Sequence, residues 1–294
     1  MNSRNWSILC WNICGLNATE KHDAVRDKIE ESTCSIICLQ ETKMQTIDMP
    51  FLRKFIPHRF DKFDFVPSLG ASWGILVIWN SATFSAITVD KQSFGLTLSF
   101  TSRHNLATWN LTTVYGPCHE PARSDFVNWL KNHQIDDDAN WIFLGDFNFY
   151  RSLIDRNKPG GNLQDTLIFN DIIGHLGLVE LPLKGRAFTW SNMQQEPLLE
   201  QLDWFFTSNN WMLAYPNTLV MPLAKITSDH VPCKISISTS IPKSNIFRFE
   251  NFCPQHPGFL EAATTGWSAL VRNQRDSASS IAGKFKNTRQ SLKN

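Results

Sequence analysis

The sequence predicts an α/β (α+β) chain of two packed β-sheets with helices on the outside. Three observations carry this. Strand-length apolar runs recur through residues 6–237, several rich in β-branched and aromatic residues. Clear helical spacing is confined to three stretches before residue 240. Acid, amide and imidazole side chains gather where strand runs stop, as expected of functional loops mounted on rigid sheets.

The elements follow in order. Residues 6–13 read as a strand that carries Asn12 near its end. Residues 19–31 read as a charged helix, with Ala24, Val25 and Ile29 as a partial stripe and Thr19 as its cap. Residues 35–39 form an apolar strand leading into Gln40 and Glu41. Strands follow at 74–79, 84–89, 96–100 and 106–115, the last ending on Tyr115-Gly116-Pro117. Residues 121–133 start with Pro and place Phe126, Val127 and Leu130 at helical spacing. A buried strand at 141–144 runs into Gly145-Asp146-Phe147-Asn148. Residues 165–176 set Ile168, Ile172 and Leu176 on one helix face. Strands at 187–190, 202–206, 218–221 and 231–237 complete the set. The domain boundary is placed near 241. Beyond it, 258–270 and 276–292 read as weak helices with too few apolar residues for a core of their own.

Composition narrows the class. The 294 residues suit one large domain or two small ones, and 42% hydrophobic with 19% charged residues is ordinary for a globular protein. A net charge of +1 gives no global argument for nucleic acid. The charge is uneven, however. Residues 242–294 hold eight Lys/Arg against three Asp/Glu, and residues 1–241 hold 20 against 24. An acidic body with a basic tail fits a metal-binding enzyme followed by a cationic segment, and a solvated helix explains the tail as well. The seven Cys lack zinc-finger spacing and read as reduced and structural. The N-terminus lacks signal-peptide character and no run reaches a membrane span of ~20 apolar residues, so an intracellular protein is expected, nuclear or cytoplasmic, with no membrane partner.

The polar clusters suggest chemistry. In Gly145-Asp146-Phe147-Asn148 a Gly permits a tight turn, and Asp146 and Asn148 at i and i+2 can point the same way. A carboxylate can accept a proton from water or bind metal, and an amide can donate to a phosphoryl oxygen. An Asx turn closing the strand is the plainer reading of that tetrapeptide alone. Glu41 is either a solvated loop residue or a ligand for a hard cation. Asn12 is either a turn amide or a contact in a phosphate or metal shell. Ser228-Asp229-His230 sits before the last strand, and neutral-range proton handling is the usual work of His. Asp203, within an apolar run, needs a partner, and His230 is the candidate. A purely structural Asp–His pair fits that spacing equally well.

In this order the blocks Trp11-Asn12, Leu39-Gln40-Glu41-Thr42, Tyr115-Gly116-Pro117, Gly145-Asp146-Phe147-Asn148, Leu202-Asp203 and Ser228-Asp229-His230 resemble the endonuclease/exonuclease/phosphatase superfamily, over about residues 5–238. The resemblance is closer to the endonuclease domain of plant-type non-LTR (LINE-like) retrotransposon polyproteins, carried by residues 145–162, 185–192, 198–206 and 225–232. Phe247-Arg248-Phe249-Glu250-Asn251-Phe252 looks like the lead towards a reverse transcriptase. The chain stops at Asn294 before any polymerase motif, as expected of a solitary or truncated segment.

The resemblance implies a four-layer α/β/β/α sandwich of two mixed sheets, deoxyribonuclease-like, with the site at one edge of both. It implies a Mg²⁺-dependent DNA endonuclease that leaves a 3′-hydroxyl, with Mn²⁺ able to substitute. Glu41 would ligate the metal, with Asn12 and Asp229 in or near its shell. Asp146 would activate or orient water, while Asn148 and His230 would hold the phosphate. Asp203 would orient His230 and Tyr115 would touch the phosphate. Arg156 and Thr189 would contact the DNA backbone. Two departures stand out: Trp73 where relatives often have a small residue, and Gln201 where many carry Arg or Lys. A phosphatase acting on inositol phosphates or phospholipid headgroups is the alternative enzyme, and an inactive retroelement remnant is the alternative outside enzymes. Gln201-Leu202-Asp203-Trp204, lacking a Trp-Cys-Asp-Arg-type block, argues against the phosphatase.

Overall fold

A computed structural model describes residues 5–69, 73–225, 227–238, 253–255, 257–269 and 277–292. The chain divides into two compact units, Met1–Ile241 and Pro242–Asn294.

The first unit opens with β1 (Trp6–Asn12), α1 (Thr19–Ser32) and β2 (Ile36–Gln40). The two strands pair in parallel, Ile8 opposite Ile36 and Asn12 opposite Gln40, so the chain needs the α1 crossover between them. Thr19 is the first helical residue, Ala18 holds the cap position, and no side chain caps the helix. A single turn, α2 (Met49–Leu52), capped by Asp48, precedes β3 (Lys62–Val66) and β4 (Ile75–Trp79). The meander β5 (Phe84–Gln92), β6 (Gly95–Ser102) and β7 (Thr108–Tyr115) is antiparallel. After α3 (Ala122–Lys131), β8 (Trp141–Asp146) returns parallel to β7, setting Tyr115 opposite Asp146.

The remainder is α4 (Leu163–His175), β9 (Val179–Glu180), the hairpin β10 (Trp190–Ser191) and β11 (Leu199–Glu200), β12 (Asp203–Thr207), α5 (Asn209–Ala214), β13 (Leu219–Pro222) and β14 (Cys233–Ile237). One six-stranded sheet runs β13-β14-β1-β2-β4-β3, the other β5-β6-β7-β8-β12-β9. Both are mixed, and both have a parallel pair near the middle, as the four-layer expectation requires.

Three apolar layers hold the sandwich. Between the sheets lie Ile8, Cys38, Val77, Leu98, Leu111 and Phe205. Outside the first sheet, Val25 and Ile29 of α1 pack on Leu9, Trp11 and Leu39. Outside the second, Phe126 and Leu130 of α3 and Phe169 and Ile172 of α4 pack on Phe143 and Phe206. The face of α4 departs from expectation. Phe169, Ile172 and Ile173 are buried, while Ile168 and Leu176 pack against the same cluster at its margin; Asn162 caps the helix, which starts at Leu163. The run at 187–190 pairs only at its end, in the β10–β11 hairpin. Trp73 packs: its ring lies 5.2 Å from Phe94 and edge-on to Tyr115, while Gly70–Ser72 fall outside the described residues.

Cys10, Cys34, Cys38 and Cys233 are buried free thiols. No helix among the described residues is long and apolar enough to cross a membrane. In the second unit α6 (Phe259–Ser268) packs on α7 (Ser277–Ser291), with Trp267 edge-on to Phe285. Leu260 and Phe285 remain exposed there. The Phe247–Phe252 stretch lies outside the described residues.

Candidate active site

The site forms at one edge of the sandwich, where β1, β2, β7, β8 and β12 present their ends. β8 ends on Gly145-Asp146 because Gly145 adopts φ +136° and approaches β7 closely. A Cβ there would fall 2.1 Å from the Val114 carbonyl oxygen. The turn that follows places Asn148 at φ +54°, and its backbone N–H donates to Asp146 Oδ1 at 3.0 Å. The Asn148 amide donates to Gly116 O at 2.7 Å and to Asp146 Oδ2 at 3.1 Å.

Asp146 is buried and faces His230 across the two sheets, Oδ2 to Nε2 at 3.5 Å. The other ring nitrogen, Nδ1, lies 2.8 Å from Asp203 Oδ2, 27 positions upstream. A carboxylate accepts, so Nδ1 carries the proton in this pair. Asn12 crosses between the sheets as well, donating from Nδ2 to Asp146 Oδ2 at 2.9 Å. Local bonds fix the Ser228–His230 loop: Ser228 Oγ donates to Asn12 O, the His230 N–H donates to Ser228 Oγ, and the Trp11 indole donates to His230 O.

The electrostatics follow from burial and proximity. Burial pushes the Asp146 carboxyl up, and Asp203 adds to this against the pull of His230. Burial alone would lower His230, but Asp203 and Asp146 raise it above the ordinary imidazole value. Asp229 ends below the usual carboxylate range despite burial, because His230 and the Trp190 indole, 2.9 Å from its Oδ2, favour the charge. Burial, then Glu41 and Asp146, push the Tyr115 phenol up and keep it neutral.

Glu41, Tyr115, Asp146, Asn148, Asp229 and His230 line one cleft of about 680 Å³. Three of the six are carboxylates. Asp146, Asp203 and His230 also offer ligand atoms within 4.8 Å of one another, close enough to hold a metal ion. Glu41, Asp146 and Asp229 bring carboxylate oxygens to the same cleft, the donor type that a hard divalent cation takes. Glu41 Oε1 lies 2.9 Å from Lys43 Nζ, so a cation reaching it shares that carboxylate with an ammonium.

Three expected residues sit differently from the sequence reading. Asn12 uses Oδ1 to accept the Cys14 N–H and Nδ2 to hold Asp146, so its amide is committed inside the protein. Thr189 is fully buried and its Oγ1 accepts the N–H groups of Leu202 and Asp203, which makes it a backbone anchor out of reach of a bound strand. Arg156 pairs with Glu200 of the hairpin, Nε to Oε1 at 3.2 Å, and is mostly covered. Arg123, Trp190, Lys21 and Lys43 also border the site, and the sequence reading does not single them out. Lys21 Nζ donates to Ile13 O and Thr227 O at 2.7 Å each, tying the β1 end to the His230 loop. Lys43, two residues after Glu41 in Gln40-Glu41-Thr42-Lys43, offered a readable signal. Arg123, on a helix surface, offered none.

The comparisons with known proteins agree with this architecture. The chain is 27% identical over 229 residues to the Transposon TX1 uncharacterized 149 kDa protein of Xenopus laevis, covering 68% of this chain and 17% of that protein. It therefore spans about a sixth of that relative's length. Its fold is similar to AP endonuclease LMAP from Leishmania major, with TM-score 0.60, 17% identity and 80% and 88% of the two chains covered. It is also similar to the endonuclease domain of TRAS1, a telomere-specific non-LTR retrotransposon, with TM-score 0.58, 13% identity and 80% and 98% covered. A sequence model of the Endonuclease/Exonuclease/phosphatase family matches residues 9–230, from within β1 to His230, and the chain belongs to that family.

Proposed function

We propose that this protein is a divalent-metal-dependent endonuclease that hydrolyses a DNA phosphodiester and leaves a 3′-hydroxyl. The observation that carries this reading is the buried chain of side chains from Asp203 through His230 to Asp146 and Asn12, at the floor of an acid-lined open cleft. The transposon relative and the retrotransposon endonuclease domain support DNA as the substrate.

Each residue has work suited to its surroundings. Asp146, held by Asn12 and Asn148, accepts a proton from the attacking water or orients it. His230, kept charged by Asp203, stabilises negative charge on the phosphoryl group. Tyr115 stays neutral and can donate a hydrogen bond to a phosphate oxygen. Glu41 and Asp229, with Asp146, would hold Mg²⁺ or Mn²⁺, which would supply Lewis-acid stabilisation of the phosphoryl oxygens.

The test is plasmid nicking. Purified protein should convert supercoiled plasmid to open circles with Mg²⁺ and stop when EDTA is added. A polymerase should extend the nicks directly, as a 3′-hydroxyl requires. His230→Ala should lose at least ~10²-fold in rate. Folded protein that fails to nick at any Mg²⁺ or Mn²⁺ concentration would refute the reading. Release of phosphate from inositol polyphosphates without nicking would replace it with the phosphatase.

A further inference from the structure

We propose that Arg123 is a positioning residue that fixes Asn148, and through it Asp146, in the geometry the reaction needs. The inference rests on the endonuclease reading above. Arg123 stands in the first turn of α3, on the wall of the cleft. Its guanidinium joins three separate pieces of chain. Nη1 donates to Asn148 O at 3.0 Å and to Pro117 O at 3.3 Å. Nε and Nη2 donate to Asp165 Oδ2 of α4 at 3.1 and 2.9 Å. The guanidinium carbon lies 3.7 Å from the centroid of the Phe149 ring.

This arrangement does what a surface ion pair does not. Asn148 sits at φ +54°, a left-handed conformation that Asn tolerates better than most residues with a Cβ and that the bonds around it select here. The Asn148 amide bonds Gly116 O and Asp146 Oδ2, so its orientation sets that of the Asp146 carboxylate. Arg123 grips the carbonyl of the same residue and the carbonyl of Pro117, one residue beyond Gly116. The β7 rim and the β8 turn are thereby held at one spacing. Four of the five guanidinium N–H groups are engaged within the protein, which leaves Arg123 poorly placed to bind a phosphate itself. Its effect on the reaction therefore runs through Asn148. Lysine cannot reproduce it, because an ammonium lacks the planar fork that reaches two carbonyls and a carboxylate together.

The experiment is a double-variant cycle in the full chain. Arg123→Ala should lower kcat for plasmid nicking by about 10²-fold, the scale of a 1 Å misplacement. KM and the salt slope of DNA binding should stay near wild type, whereas removing a cation that neutralises a phosphate would cut the slope by about one. Adding Arg123→Ala to Asn148→Ala should cost little more than Asn148→Ala alone. Arg123→Lys should recover only part of the loss. Hydrogen exchange supplies a readout independent of activity: segments 116–120 and 145–150 should exchange faster in Arg123→Ala, or in Arg123→Lys where the alanine variant does not fold, with β1 and β2 unchanged. Wild-type kcat in Arg123→Ala, multiplicative losses in the double variant, or unchanged exchange at 145–150 would each overturn the proposal. Absence of nicking by the wild type would refute the endonuclease reading instead, and exchange would still decide the role of Arg123.

Discussion

His230 sits where a charged imidazole is unfavourable, and two carboxylates reverse that. A His raised above its ordinary value stays protonated to higher pH, so the alkaline limb of the nicking rate should lie above ~6.5, the unperturbed imidazole value. In Asp203→Asn the raising charge is lost while the desolvation remains. The limb should then move down by about 1–3 pH units, the usual effect of a neighbouring opposite charge. A pH–rate profile of both proteins checks this, and an unmoved limb would remove Asp203 from the proton-handling set. At this scale the sequence was informative about chemistry and poor about direction. An Asp in an apolar strand needs a partner, and His230 is 2.8 Å away. Nothing in the sequence told that the Thr189 hydroxyl turns inward to backbone N–H groups, or that the Asn12 amide is taken by Cys14 and Asp146. Those facts depend on side-chain direction at a seam between distant segments.

Elements explain why the turn after β8 tolerates little change. Gly145 and Gly116 let β8 and the β7 rim approach so closely that a Cβ on either would meet backbone at 2.1 Å. Gly145→Ala also imposes a strained positive φ. It should cost about 1–3 kcal/mol from crowding alone, seen as a thermal midpoint several degrees lower, with nicking impaired beyond what the loss of fold explains. An unchanged melting curve would mean that β7 and β8 can move apart without cost. Buried strands such as β2, β4 and β1 beyond Trp6 are readable, because continuous apolar runs leave few alternatives. β3 was not, since Lys62-Phe63-Asp64-Phe65 alternates charge with aromatics at a sheet edge. β9, β10 and β11 are two residues long and carry no periodicity to read. The expected α4 stripe of Ile168, Ile172 and Leu176 lies beside the buried line, which also takes in Phe169 and Ile173.

At the scale of the molecule, the charge split and the two compact units coincide in residue range. A chain ended at Ile241 should keep its thermal midpoint and its nicking rate in low salt. If the basic residues beyond 241 touch DNA phosphates, the same truncation should lower the salt slope of binding by about one for each phosphate no longer neutralised. An unchanged slope would refute a phosphate role for that segment. Sheet order was the part least available from sequence. β1 lies between β2 and β14, a neighbour more than 200 positions away, and only pairing in three dimensions decides that.

The bond from Asn12 to Asp146 joins the two sheets, and the bond from Asp203 joins the second sheet to His230, on the loop that leads into β14 of the first. Neither sheet holds a working set alone. A slip of one sheet past the other by a fraction of a hydrogen-bond length would disconnect the set while leaving every strand paired. Under the proposed function, catalysis would serve as an alignment gauge for the sandwich. On slow heating, nicking should fade at temperatures where the far-ultraviolet circular dichroism is still native. Coincident loss of both signals would mean that the two sheets come apart only when they unfold.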